Sequence, residues 1–275
     1  MKMLCVGEIL VDMIGSGECL EKTDTFRKKP GGAPANVAVA ASRMGAEVEI
    51  AATVGKDSFG ELLVDKMNEE GVGTKNLRRS DLKTTLAFVS LDEEARPDFS
   101  FYRGADKDLK AYQLEEGYDI VHLGSLLFTS QKASENISQY LKSTDATISF
   151  DPNLRVELVT PEYLSRIQKV LDYTDIVFLS EDELEKLDTS EVDEVVISRG
   201  ESGAELKTKE QKIESEPPEV NAVDTTGAGD ALTGTYLAFY RKGRNKALNL
   251  AVTSAAKSTT SKGAMAALPK KEDIL

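Results

Sequence analysis

The sequence has no tryptophan, a single histidine, His122, and only two cysteines, Cys5 and Cys19. One histidine cannot build a His-rich zinc site or a two-histidine metal centre. A Ser-His-Asp hydrolase would have to use it, yet YDIVHLGSLL is a strand-like run without a G-x-S-x-G elbow, so His122 reads as a core or strand-end residue. The cysteines form no CxxC pair and lie in or near an apolar N-terminal run, as in a core kept in a reducing compartment. No run of about 18 apolar residues occurs, and Glu8 and Asp12 interrupt MKMLCVGEILVD, which therefore lacks a signal-peptide core. A cytoplasmic protein is expected. A basic patch is also missing: 34 Lys and Arg stand against 47 Asp and Glu, a formal net charge of −13. That balance disfavours nucleic acid and anionic membrane as partners and favours a small ligand.

What the sequence does contain is alternation. Its 275 residues, 40% of them hydrophobic, suffice for one large α/β domain. Apolar, β-rich runs (MLCVGEILV, VEIAATVG, DIVHLGS, ATISFD, DIVFLS) are separated by helical patterns at 34–44, 58–70, 131–142, 161–172 and 181–187. Such alternation implies a mostly parallel sheet with helices on both faces. One region breaks the rhythm: TTLAFVSL and DFSFYR, joined by the polar turn DEEARP, read as an antiparallel hairpin outside the main layer, with the 15–30 segment as neighbour. In open α/β sheets ligands bind beyond the carboxyl ends of the strands. Polar residues fall there repeatedly: Asp12, Ser125, the DPN of 151–153, the SEDE of 180–183 and the SRG of 198–200.

The stretch AVDTTGAGDALTGTYLAFY, 222–240, places Gly227, Ala228 and Gly229 at the start of a helical pattern, directly before Asp230. Bare backbone at a helix N-terminus favours an anion. A Walker A loop needs G-x-x-x-x-G-K-[ST], and a Rossmann fingerprint needs G-x-G-x-x-G after the first strand; neither pattern is met. Two readings of Asp230 remain open on spacing alone. It is either a carboxylate stabilising the first helical turn, or a base accepting a hydroxyl proton while the N–H groups hold a phosphoryl group.

DTTGAGD at 224–230 resembles the C-terminal signature of the ribokinase or PfkB family of sugar kinases, and GGAPANVAVAASRMGAE with VGKDSFG resembles the N-terminal one. The resemblance implies a ribokinase-like α/β fold over 1–275, with a small β lid formed from about 13–30 and 84–104 covering the sugar. It implies an ATP-dependent carbohydrate kinase with Asp230 as catalytic base, Gly227, Ala228 and Gly229 as anion hole, and Asp12, Gly31, Gly32 and Asn36 on sugar hydroxyls. Glu183 would help hold Mg²⁺ through water, although Ser180 stands where the family often has Asn; a solvated acidic helix start is the alternative reading of this run. Ser198, Gly200, Gly203 and Gly263 would border ATP, beside a helix at 251–260 in which Val252 replaces a frequent Asn. Asp224 and Thr226 match positions that bind a monovalent cation, K⁺, in relatives. A homodimer through the lid is a further implication.

FYRGADKDL and FDPNLR resemble segments of fructokinases and of 2-keto-3-deoxygluconate kinases. Arg103 could bond a sugar hydroxyl or clamp a carboxylate bidentately. Fructose is favoured as acceptor, a sugar acid is the alternative, and a nucleoside would need Phe99, Phe101 and Tyr102 to form an apolar slot. A non-catalytic sugar- or nucleotide-binding sensor is the reading outside the enzyme class.

Overall fold

Strands buried on both faces explain why the apolar runs are nearly continuous. In the computed structural model, which describes residues 1–17, 19–91, 97–109, 114 and 116–275, the strands are β1 Lys2–Val6, β2 Leu10–Gly15, β3 Phe26–Gly31, β4 Glu47–Gly55, β5 Leu77–Ser80, β6 Leu86–Leu91, β7 Pro97–Tyr102, β8 Ile120–Gly124, β9 Thr147–Asp151, β10 Ile176–Ser180, β11 Glu194–Ser198, β12 Ala204–Thr208 and β13 Lys212–Ser215. The helices are α1 Ala33–Arg43, α2 Ser58–Glu69, α3 Gln131–Leu141, α4 Pro161–Leu171, α5 Glu181–Leu184, α6 Ala228–Phe239, α7 Arg244–Ser258, α8 Ala264–Ala267 and α9 Lys271–Ile274.

Nine strands form one sheet in the order β13-β12-β11-β10-β9-β8-β1-β4-β5. It is parallel from β5 to β11 and antiparallel at β12 and β13. Met3 and Cys5 pack with α1, α6 and α7 on one face, while Leu4 and Val6 pack with α3 and α4 on the other. His122 is a core residue of β8: it is buried, its Nδ1 lies 3.0 Å from Ser149 Oγ, and burial pushes its pKa down to about 3. Among the described residues no helix is long and apolar enough to cross a membrane.

The first apolar run is two strands rather than one. The chain leaves the large sheet after Val6 and enters a second sheet at Leu10, in the order β3-β2-β6-β7. The break falls at Gly7, where a Cβ would lie 2.6 Å from Pro34 Cγ. Because the run is buried on both sides of it, through Val11, hydropathy alone shows no boundary. The expected hairpin is the antiparallel pair β6 and β7, and its turn at 92–96 lies outside the described residues. Its neighbour begins at Leu10 and runs parallel to β6.

Strand order reverses between β8 and β1, the kind of place where open α/β sheets bind ligands. Helices α1 and α6 meet beside that point. Gly234 of α6 lets the backbones approach, since a Cβ there would lie 2.6 Å from Ala40 Cβ and 2.6 Å from Val37 O. Gly234→Ala is therefore expected to force α1 and α6 apart and cost about 1–3 kcal/mol despite alanine's better helix propensity. A thermal melt checks it: an unchanged or raised Tm would show that the helices absorb the methyl group without moving.

Candidate active site

The site is assembled where α1 and α6 present their first turns to the carboxyl ends of β1 and β9. Gly32 precedes α1 at φ 104°, and a Cβ there would sit 2.7 Å from Glu8 O. A side chain is excluded on both counts. Gly31 is needed for a different reason: its absent Cβ would fall 2.0 Å from Asp12 Oδ2, so the Asp12 carboxylate rests directly against bare backbone.

One turn into α1, Asn36 donates from Nδ2 to Asp230 Oδ2 at 2.8 Å. Both residues are buried, and Asn36 Oδ1 has no hydrogen-bond partner. Asp230 lies in the first turn of α6, behind Gly227 in the left-handed conformation at φ 83°. A Cβ on Gly227 would come within 2.8 Å of Ala264 Cα, whereas one on the exposed Gly229 would meet nothing within 4 Å. Gly229 thus leaves open space over the helix start, while the Ala228 N–H closes the loop onto Thr225 O at 3.1 Å.

Burial raises the Asp230 pKa to about 6, opposed by the Asn36 hydrogen bond and by the charge of Arg155. Burial likewise raises Asp12 to about 7; Arg155 opposes this and the Asp230 charge adds to it. Asp151, at the end of β9, is pushed upward by burial and by the charges of Glu183 and Asp230. Arg155, an exposed residue of the following turn, acts on all three carboxylates. Asp151 was marked in the sequence only by its place at a strand end and Arg155 was not singled out, although both lie in the FDPNLR segment; what joins them is the field they share with Asp230. Glu8 was also passed over: it is buried, accepts the Ala33 N–H at 3.2 Å, and burial raises its pKa to about 7.

Apart from Arg103, the remaining expected residues fall into three groups. Asp224 accepts Thr226 N at 2.9 Å, Thr226 Oγ1 at 2.6 Å and Gly263 N at 2.8 Å, which ties the glycine loop to the turn before α8. Partial burial works against its ionisation, but these bonds and the Lys262 charge hold its pKa below the usual carboxylate range. Ser198, Gly200 and Gly203 line the turn from β11 to β12, where Ser198 Oγ donates to Leu179 O at 3.3 Å. The neighbouring helix starts at Arg244 rather than 251, and Val252 is buried in the core. Glu183 closes a capping box with Ser180, accepting its N–H and its hydroxyl at 2.9 Å each.

Arg103 sits at the root of β7. Its guanidinium is ion-paired with Asp106 and also donates to Thr129 Oγ1 at 2.8 Å and Leu126 O at 3.3 Å. Phe101 packs with Leu10, Ala87 and Leu126, whereas Tyr102 stacks edge-on with Phe88 and is 65% exposed. Adjacent residues of a strand face opposite ways, so these two do not line one slot. Phe99 carries no described side chain. Among the described residues no three His, Cys, Asp or Glu side chains are grouped to hold a metal directly.

A buried acid facing bare backbone at a helix start, at the switch point of a parallel sheet, defines a phosphoryl-transfer class of site. The chain belongs to the pfkB family of carbohydrate kinases, whose model matches residues 1–271. It is an ATP-dependent sugar phosphotransferase with the ribokinase-like fold. It is 32% identical to probable fructokinase-4 of Arabidopsis thaliana, across 98% of this chain and 94% of that protein. Among solved structures it resembles a sugar kinase from Pyrococcus horikoshii in complex with ATP (TM-score 0.91, 31% identity, 99% and 96% coverage). A fructokinase from Vibrio cholerae bound to fructose, ADP and calcium ion gives a TM-score of 0.86 at 27% identity, with 99% and 97% coverage.

The raised Asp230 pKa makes a stability prediction. In the unfolded chain the group ionises near 3.8 and in the folded one at about 6. Below the lower value both states are protonated; as pH rises from about 3.8 to about 6 the unfolded chain ionises while the folded group holds its proton, so stability falls across that window and above about 6 is lower by at most about 3 kcal/mol. Asp230→Asn keeps an acceptor for Asn36 and removes the charge. Its Tm is expected to exceed wild type on the order of 5 °C at pH 8 and to match it at pH 3.5; equal melting at both pH values would mean the charge is already compensated.

Proposed function

We propose that this kinase phosphorylates fructose, with Asp230 as general base. The observation that carries the reading is the buried Asp230, bonded to Asn36 and flanked by Asp12 on Gly31, at the open helix start of Gly229. The fructose hydroxyl oxygen bonds to the γ-phosphorus, the bond from that phosphorus to the ADP oxygen breaks, and the hydroxyl proton passes to Asp230. Asn36 holds the receiving carboxylate in place, and Asp12, Gly31 and Gly32 orient the other hydroxyls. Gly227, Ala228 and Gly229 form the anion hole for the migrating phosphoryl group. Ser198, Gly200, Gly203 and Gly263 border ATP, with Val252 contributing only apolar packing from the core.

Mg²⁺ would supply charge neutralisation of the phosphates. The residues fit it through water: both Glu183 oxygens already accept protein donors, and Mg²⁺ normally keeps several waters. K⁺ is assigned to the Asp224 and Thr226 loop, where a single weak charge suits a carboxylate already accepting three donors. The four-stranded sheet acts as a lid on a single kinase domain, Arg103 contributes from its root, and the aromatic face carrying Phe26, Phe88 and Tyr102 is the proposed dimer surface. The protein acts in the cytoplasm. A second reading, a 2-keto-3-deoxygluconate kinase, is favoured by the Arg155 charge near Asp12 and Asp230, which suits an acidic acceptor.

ADP release from Mg-ATP, measured with fructose, 2-keto-3-deoxygluconate, ribose and adenosine, tests the acceptor. Fructose is expected to give the highest kcat/KM; a sugar acid that outruns it would replace this reading with the second. Asp230→Asn should lower kcat by roughly 10²–10⁴ while fructose affinity survives. The wild-type kcat/KM should fall as pH drops through 7 to 6, where Asp12 and then Asp230 take up protons. A profile flat down to pH 5 would exclude Asp230 as the base.

A further inference from the structure

The turn that follows β9 is held from below by one carboxylate. Glu183 Oε1 accepts the Leu154 N–H at 2.5 Å, and Glu183 Oε2 accepts both the N–H and the hydroxyl of Ser180 at 2.9 Å. Three of its roughly four lone-pair positions are therefore used inside the protein. The turn needs such an anchor. Asn153 is the one non-glycine residue with positive φ among the described residues, at 38°, a conformation Asn tolerates at some cost. Asp151 Oδ1 accepts the Asn153 N–H at 3.0 Å from the other side. The next residue after Leu154 is Arg155, whose charge reaches Asp12, Asp151 and Asp230.

We propose that Glu183 is a positioning residue for the sugar side of the site: by gripping the Leu154 amide and the Ser180 cap, it fixes the 151–155 turn and so places the Arg155 guanidinium at the carboxylates that receive the acceptor. The role differs from water-mediated Mg²⁺ binding, which requires the Glu183 charge. Positioning requires its reach. The inference rests on the reading of Asp12 and Asp230 as the acceptor side.

Two variants separate reach from charge. Glu183→Asp keeps the charge and can still cap α5, but it is one methylene short of Leu154. Glu183→Gln loses the charge and the acceptor for the Ser180 N–H, but keeps an oxygen of full length for the Leu154 N–H and an amide N–H that the Ser180 hydroxyl can accept. Both are compared with wild type free of metal and nucleotide, by hydrogen exchange at the Leu154 amide and by calorimetric titration with fructose. Glu183→Asp is expected to speed Leu154 exchange and weaken fructose binding, each about tenfold, the scale of one lost charge-assisted hydrogen bond. Glu183→Gln is expected to stay within about threefold of wild type in both, on the same scale. A Glu183→Asp variant that matches wild type, or a Glu183→Gln variant weaker than it, overturns the proposal. Wild-type protein that binds no fructose would overturn the fructose reading instead, and the Leu154 exchange rates, which need no ligand, would still decide this one.

Discussion

The hydrogen bond from Asn36 to Asp230 joins two helices that are far apart in sequence and adjacent in space, and the site depends on it. A carboxylate buried this deeply would remain protonated near neutrality if burial acted alone. Asn36 and Arg155 pull the pKa back to about 6, so the group is ionised at pH 7 yet still basic enough to take a proton. That compromise needs α1 and α6 at close range, which Gly234 allows, and it needs the entry to α1 fixed, which Gly31 and Gly32 allow. The small residues of both signatures are thus one device, setting the distance at which one amide meets one carboxylate.

Around this pair the charges are arranged in opposition. The Asp230 charge acts on Asp12 and Asp151, and Glu183 acts on Asp151, with Arg155 as a counter-charge common to Asp12, Asp151 and Asp230. Buried like charges destabilise a fold unless something offsets them. Arg155 offsets part of that cost, and the sheet core carries the rest. Seven parallel strands with apolar side chains on both faces supply it.

Much of this was legible in the sequence, for identifiable reasons. Helices α2, α3 and α4 begin at the expected residues because their caps and periodicities are local: Asp57 accepts from Gly60, Ser130 from Ala133 and Thr160 from Tyr163. Asn36 and Asp230 were legible through the paired signatures, not through spacing, since 194 positions separate them. The split of the first run at Gly7 was hidden because the run is buried on both sides of it, through Val11, and hydropathy does not register a change of sheet. The start of α7 at Arg244 was hidden for a related reason, as Gly243 ends one turn and opens the next. Asp151 was marked only by its strand-end position, while Glu8 and Arg155 matter through what they face, and a linear pattern contains no such information.

Arg103 shows how a correct location can leave a role open. It lies at the root of the four-stranded sheet, and its guanidinium is engaged by Asp106, Thr129 and Leu126; Asp106 in turn bonds Thr85, which also receives the Gly104 N–H at 2.9 Å. The strand entering the small sheet and the strand leaving it are thereby tied at one point. Thr84 adds a second tie, through its N–H and hydroxyl to the Asp57 cap of α2 at 2.9 Å and 2.7 Å. A small sheet pinned at its root and carrying Asp12 on one of its strands can transmit its angle directly to that carboxylate. The Arg103 guanidinium is thus committed to the root of the small sheet, whereas the positive charge that acts on Asp12, Asp151 and Asp230 belongs to Arg155, in a turn of the large sheet. The charge of Asp230, beside the large sheet, thus acts on Asp12 of the small one where the two sheets meet, with Arg103 held by Asp106 on one side and Arg155 held by its turn on the other.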